Sequence, residues 1–385
     1  MLQEAHIAGT GTAVPFPIDT ERMLAHDRHI RELHGQSTTT IERFRRFVEG
    51  TGIHTRHYAH QHWLPAETEP GDLPEHAALS AERDIFTPTD FAPSYCERMS
   101  VFGETVYKLA VSAAQRALDD WGGRPEDITH VITTCTSGWN EPGVAVAVMR
   151  ALDLRLDCQK AELNFNGCFC GATCLRLARD VVKAGDRRTV LVVAVEVAST
   201  HYDVTATDPS SLVAHALFAD GAAAMIVSGD GPWRYTDTGM SLVPDSTHLL
   251  GLSPPLEAGQ SAYRMTLDRR VGKALGGYFA EGPGADLIDA IVAPSNERPA
   301  LGIHPGGPNI LDHVGQAFSD RGWPEGALGS SYDTLQSHGN LGAAAMLFVL
   351  SKRLGRIEED RLVTMAFGPG VTVEWASLEQ PARMI

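Results

Sequence analysis

The sequence is short of cysteine, of basic residues and of long apolar runs, and each shortage removes a class of protein. Six cysteines in 385 residues are too few for a disulfide framework, so a reducing cytoplasm is the expected compartment. No apolar run approaches the roughly 18 residues of a membrane-spanning helix. The opening MLQEAHIAGTGTAVP has no basic segment leading into an apolar one, so no signal peptide is expected. Lys and Arg number 32 against 48 Asp and Glu, a formal charge of −16. That balance argues against nucleic-acid binding and against docking on an anionic membrane. Anionic small ligands stay open, because they need only a local basic cluster.

What is present is an ordinary globular composition, 43% hydrophobic, in a chain long enough for one large domain or two fused ones. HVITTCT (130–136) and RTVLVVAVEVA (188–198) are apolar, β-branched runs suited to buried strands. The segment 100–121 has helical spacing, with Val106, Leu109, Ala110, Ala113 and Ala117 on one face. The segment 172–185 is also helical and runs into a glycine. Such alternation predicts an α/β layered fold. The Pro-, Glu- and Asp-rich stretch 60–98 is read as an irregular surface excursion, and 231–262 as similar, with GLSPPLEAGQSA as a loop. Gly-Thr-Gly at 9–11 lacks the third glycine and the acidic partner of a dinucleotide fingerprint, and is read as the turn after the first strand.

An internal repeat adds detail. LFADGAAAMIVSG (217–229) parallels AFGPGVTVEWASL (366–378): Phe, two residues, Gly, then a strand-like run. Upstream of each stands a glycine, a polar or reactive residue and a small-residue helix, GCFCGATCLRLARD from Gly167 and GNLGAAAMLFVLSKR from Gly339. The repeat predicts two related halves, 1–230 and 231–385. Facing halves would bring Cys168 and Asn340 toward one central site.

Cys168, Cys170 and Cys174 share one short segment. Their spacing lacks the second ligand pair of a structural zinc site, and near neighbours in a reducing compartment do not favour disulfides. Cys170 and Cys174 are read as small buried hydrophobes. Cys168 follows a turn-permitting glycine and is placed at the helix start, where unpaired N–H groups favour a thiolate, the stronger nucleophile. GIHPGGPNILD (302–312) puts His304 at a strand end before another helix, and SHGNLGAAAM (337–346) puts Asn340 at a tight turn. Singly, a histidine is more often structural and an Asn after Gly more often a cap. Together, Cys, His and Asn on three glycine-supported turns make an inventory for acyl transfer: nucleophile, base and oxyanion donors.

On these segments the chain resembles the type III polyketide synthases, the chalcone- and stilbene-synthase-like members of the thiolase superfamily. The resemblance runs from about residue 40 to 376. It covers GCFCGATCLRLARD, HPGGPNILD, GNLGAAA and AFGPGVTVE, the last with Ala366 in place of the family's first Gly. It implies an α/β, thiolase-like fold of two pseudo-symmetric βαβαβαββ halves forming a five-layered αβαβα core. It implies a homodimer acting on an acyl-CoA starter and malonyl-CoA, with no metal or redox cofactor, no nucleic acid and no membrane. Cys168 would carry the acyl group, His304 would activate it, and His304 with Asn340 would hold the enolate left when malonyl-CoA loses CO₂.

The same resemblance implies a binding set. Phe218 matches the gatekeeper between CoA tunnel and cavity. Thr136 and Ser137 match pocket positions. His201 stands where plant members have Thr, Gly342 where they have Ser, and Tyr263 where they have a second gatekeeper Phe. His201 would narrow or polarise its side, and Gly342 would widen the pocket beside the cysteine. Arg43 and Arg46 match basic CoA contacts. A third such contact falls at Gly50, for which Arg56 is offered as compensation. Gly306, Gly307 and Asn309 match the tunnel mouth. Glu141 takes the place of a Met that crosses the dimer interface in plant members. These departures point away from a strict chalcone synthase and toward alkylresorcinols, alkylpyrones or small phenolics. The rivals are a ketosynthase III acting once on an acyl carrier protein, and a non-catalytic scaffold of the same fold.

Overall fold

The structure, a computed structural model, describes residues 3–59, 94–253, 263–293, 298–355 and 360–380. The excursion read at 60–98 lies outside the described residues up to 93, and the GLSPPLEAGQSA loop does so at 254–262. The N-terminal elements are β1 (His6–Ala13), β2 (Phe16–Asp19), α1 (Thr20–Leu33), α2 (Thr38–Gly50), β3 (Thr55–Tyr58) and α3 (Tyr95–Trp121). Next come β4 (His130–Thr134), α4 (Val144–Ala151), β5 (Gln159–Glu162), α5 (Cys170–Lys183), β6 (Val190–Val197), α6 (Pro209–Leu217) and β7 (Asp220–Ser228). Then follow β8 (Trp233–Leu242), β9 (Leu250–Ser253), β10 (Arg264–Leu267), α7 (Val271–Ala280) and α8 (Pro283–Val292). The last are β11 (Ala300–Ile303), α9 (Pro308–Ser319), α10 (Gly329–His338), α11 (Ala345–Leu354), β12 (Arg361–Gly368) and β13 (Thr372–Glu379).

The main sheet has the order β11-β12-β13-β8-β1-β7-β6-β4-β5. It is two runs joined where β1 meets β8, at His6↔Arg234 and Ile7↔Trp233. In one run β4 is parallel to β6, and β6–β7 and β7–β1 are antiparallel. In the other β11 is parallel to β12, and β12–β13 and β13–β8 are antiparallel. The repeated Phe-x-x-Gly segments lead into β7 and β13, which occupy matching places.

Residue alternation explains the layering, because successive strand side chains point to opposite faces. On β6, Leu191, Val193, Val195 and Val197 pack under α3 and α4. Val190, Val192 and Ala194 face the other way, into a cluster with Cys174 and Leu175 of α5 and Met346 and Leu350 of α11. That cluster also takes Leu362 and Ala366 of β12, whereas Val363, Met365 and Phe367 face α7 and α9. The order is therefore helix, sheet, helices α5 and α11, sheet, helix: the expected five-layered mixed α/β arrangement.

Gly-Thr-Gly at 9–11 is not a turn. Both glycines lie inside β1, beneath α3, where a Cβ on Gly9 would stand 2.6 Å from the Ala117 carbonyl oxygen and one on Gly11 2.3 Å from that of Ala113. The missing side chains let helix and strand approach closely, and a turn is unnecessary to explain them.

Candidate active site

Cys168 lies in the turn between β5 and α5. The helix begins at Cys170 with Phe169 as its cap, so Cys168 stands ahead of the first helical turn rather than in it. Gly167 holds φ = 87°, a conformation glycine adopts without strain. Its N–H donates to Thr136 Oγ1 at 3.1 Å, and a Cβ there would stand 2.3 Å from Pro369 Cδ. The Phe-Gly-Pro-Gly segment thus buttresses the cysteine turn. Cys170 and Cys174 are fully buried, and Cys170 Sγ donates to the Leu163 carbonyl at 3.4 Å. Cys168 keeps partial exposure and lines a cavity. Burial, with a contribution from the Glu196 carboxylate, pushes its thiol up to about 12. The expectation of a thiolate from helix placement alone is therefore corrected: the sulfur sits two residues before the helix, in surroundings that favour S–H.

His304 directly follows β11, and its N–H donates to the Met365 carbonyl at 2.8 Å. The ring is buried, and burial drives its pKa down to about 3. Asn340 is clamped on four sides. Its N–H donates to Leu217 O at 2.8 Å, and its own carbonyl accepts from Ala219 N–H at 3.0 Å. Its Oδ1 accepts from Gly342 N–H at 3.0 Å, and its Nδ2 donates to Gly306 O at 3.3 Å. Gly306 lies two residues after His304, so this last bond joins the histidine and asparagine turns. Asn340 precedes a short 3₁₀ turn, Gly342–Ala344, and α11 starts only after that.

Glu196 ties the segment after Asn340 to the 136–137 turn, which in turn holds the cysteine turn through Gly167. It was missed in the sequence, although it is the one acidic residue in the apolar run 188–198. Its fully buried carboxylate accepts from Thr136 N–H at 3.0 Å, Ser137 N–H at 2.8 Å and Ala343 N–H at 3.3 Å. Burial raises its pKa against the opposing pull of these bonds. A Cβ on Gly342 would lie 2.8 Å from Glu196 Cγ, so the space opened by Gly342 is partly taken by this side chain. Because the Glu196 charge raises the Cys168 thiol, Glu196→Gln should move the midpoint of Cys168 alkylation by iodoacetamide to lower pH. A midpoint that stays put or rises would show that the carboxylate exerts no field on the sulfur.

The cavity encloses about 450 Å³, in the lower part of the usual range for ligand pockets. Thr136, Ser137, His201, Phe218, Tyr263 and Gly342 all line it, together with Cys168. His201 donates through Nε2 to the Ser137 carbonyl at 2.6 Å and accepts the Tyr263 N–H on Nδ1 at 3.4 Å. Its ring stacks on Tyr263 at 4.3 Å, and burial lowers its pKa to about 4. It is a neutral, pinned wall. Tyr58, His215 and Arg264 also line the cavity without any local sequence pattern to announce them, as does Pro369 of the Phe-Gly-Pro-Gly segment.

The residues read as CoA contacts fare differently. Arg56 is wholly buried and donates to the Ala216 carbonyl at 2.6 Å, Thr20 Oγ1 at 2.8 Å and Thr51 Oγ1 at 3.2 Å. It cannot compensate for Gly50 at a surface entrance, because its guanidinium is consumed inside the fold. Arg56→Ala should cost about 3 kcal/mol of stability, since it strands buried acceptors. A denaturation midpoint within error of the parent would contradict that role. Arg43 and Arg46 lie on α2, with Arg46 exposed. Gly306 and Gly307 are buried and Asn309 is exposed. None of these five lines the cavity. Glu141 is exposed on the segment before α4. Among the described residues, no group of three or more His, Cys, Asp or Glu is placed to hold a metal.

A family model described as chalcone and stilbene synthases, N-terminal domain, matches residues 3–232. A bisdemethoxycurcumin synthase from Oryza sativa subsp. japonica is 30% identical, over 96% of this chain and 91% of that protein. The C-terminal type III polyketide synthase domain of Steely1, a type I/III hybrid from Dictyostelium, has a TM-score of 0.81 at 25% identity, covering 98% of this chain and 99% of that one. PKS-I from the brown alga Ectocarpus siliculosus reaches a TM-score of 0.83 over 99% of both chains at 20% identity, a likeness of fold.

Proposed function

We propose, from the premise that this chain belongs to the chalcone and stilbene synthase family, that Cys168, His304 and Asn340 are its catalytic residues. The chain is a type III polyketide synthase, an acyltransferase that condenses malonyl-CoA. One observation carries the residue assignment. A partly exposed sulfur lines a cavity of about 450 Å³, and Glu196 links its turn, through Thr136, to that of Asn340, which bonds in turn to the His304 loop.

In the proposed cycle Cys168 Sγ attacks the starter thioester. The S–H proton passes to His304, the sulfur–acyl bond forms, and CoA leaves as a thiol after taking that proton. Malonyl-CoA then loses CO₂, and the electron pair of the broken C–C bond moves into an enolate. Donors from His304 and Asn340 stabilise the enolate oxygen, each by about 3 kcal/mol in a dry site. The enolate carbon attacks the acyl group, and the Cys168 sulfur leaves to take the lengthened chain back. Burial holds His304 neutral at rest, so one ring nitrogen keeps a lone pair while the other carries an N–H that can donate a hydrogen bond. No cofactor is needed for any step.

Thr136, Ser137, His201, Phe218, Tyr263 and Gly342 shape the acyl chamber in this reading, and Arg43, Arg46, Gly306, Gly307 and Asn309 serve the CoA approach from outside the cavity. The halves 1–230 and 231–385 are the repeated units, and the enzyme works as a homodimer in the reducing cytoplasm that a thiol nucleophile requires. The products are resorcinols, pyrones or small phenolics.

The test is incubation of the purified chain with malonyl-CoA and a panel of acyl-CoA starters, with products read by mass spectrometry. Products carrying two or more malonyl-derived units, formed without carrier protein, are expected. A single extension that depends on acyl carrier protein would favour the ketosynthase III reading, and no turnover of any thioester the scaffold reading.

A further inference from the structure

We propose that Arg264 and Asp208 form an opposed pair of charges at the cavity mouth that reads the phosphate-bearing end of the substrate. This rests on the CoA-thioester reading above and adds residues that the sequence comparison did not point to. Arg264 is the only Lys or Arg among the described residues lining the cavity. Its side chain is exposed, whereas Tyr263 and Met265 on either side are half-buried, which puts Arg264 where the cavity meets solvent. Thr205, Thr207 and Asp208 also line the cavity and are exposed. They precede or cap α6, against which β10 packs, so they stand beside Arg264 at the exposed rim.

Asp208 caps α6, its carboxylate accepting from Ser211 N–H at 3.0 Å. Burial would raise its pKa, but the Ser211 bonds and then the Arg264 charge hold it below the ordinary carboxylate value. Asp203 adds a second carboxylate near this rim, apart from the buried Glu196 deeper in the lining, and accepts from Thr205 N–H at 2.8 Å. An arriving polyanion therefore meets two carboxylates and one guanidinium, on a chain of charge −16. Guanidinium is the better phosphate partner, because its forked donors match phosphate oxygens. Asp208 competes for that guanidinium and repels the newcomer. The two residues should act on CoA in opposite directions.

The experiment measures CoA binding by titration calorimetry, and KM for CO₂ release from malonyl-CoA and from malonyl-N-acetylcysteamine, which carries the same malonyl group without phosphates. Arg264→Ala should weaken CoA binding and raise the malonyl-CoA KM by about five- to tenfold at low salt, an effect that shrinks as salt is added. Asp208→Asn keeps a good helix cap and should shift both values the other way, about two- to threefold. Neither substitution should change KM for the N-acetylcysteamine thioester. Equal losses on both thioesters for Arg264→Ala would assign the residue to the malonyl carboxylate and overturn the proposal. Unchanged CoA affinity in Arg264→Ala, or weaker affinity in Asp208→Asn, would overturn it as well. Calorimetry answers even if wild-type protein releases no CO₂, an outcome that would sink the polyketide reading and not this one.

Discussion

Replacing Cys168 with alanine should abolish polyketide formation, by at least about three orders of magnitude, while CO₂ release from malonyl-CoA continues. The two activities separate because they use different atoms. Condensation needs the sulfur to carry the acyl chain. Decarboxylation needs only donors aimed at the enolate oxygen, which in the proposed cycle come from the His304 and Asn340 turns. The cysteine turn itself should survive the change. It is held by the Gly167 to Thr136 bond and by Pro369 packing on Gly167, neither of which involves Sγ. A thermal midpoint close to that of the parent is therefore expected. The readout is trapped labelled CO₂ beside mass spectrometry of extended products. Extended product above about one per cent of wild type would remove Cys168 from the mechanism.

Asn340→Asp should lower CO₂ release by about 10²- to 10³-fold, the loss associated with removing one oxyanion donor. Asp is chosen because Asn340 has two duties. Its Oδ1 holds Gly342 N–H and its Nδ2 donates. Asp keeps the first, loses the second and sets a carboxylate oxygen against the buried Gly306 carbonyl, a stability cost of its own. Alanine loses both, and should add a stability cost of about 1–2 kcal/mol for the buried N–H left unpaired. If the donor matters, Asp and Ala variants lose CO₂ release alike and differ in denaturation midpoint. Wild-type decarboxylation by the Asp variant would mean that Asn340 only shapes its turn.

The residues that were legible in the sequence share one property: a local signature. The buried runs of β4 and β6 and the face of α3 follow from periodicity. Cys168, His304 and Asn340 each stand beside glycines that mark a sharp turn. The layering also followed, because β6 is apolar at every position but Glu196 and so must be covered on both sides. What was not legible depends on contacts between distant segments. Arg56 looks like any surface arginine in a basic stretch, and only the fold shows Ala216, Thr20 and Thr51 closing around it. Gly9 and Gly11 looked like a turn because the helix that presses on them lies a hundred residues downstream. Glu196 could have been found, since an ionisable group in a doubly covered strand costs too much to be incidental. Arg264 could not, because it enters the cavity wall from a short strand with no pattern of its own.

The middle layer has a consequence for the life of the chain on the ribosome. Helix α5 comes from before residue 200 and α11 from after 340, yet they share one oily bed between the two sheets. When synthesis has reached only β7, α5 and Cys168 are already made, but the surface beneath the helix is bare. His304 and Asn340, the proposed partners of Cys168 in catalysis, do not yet exist. Covering that sticky half and completing the proposed triad thus both wait for the last strands.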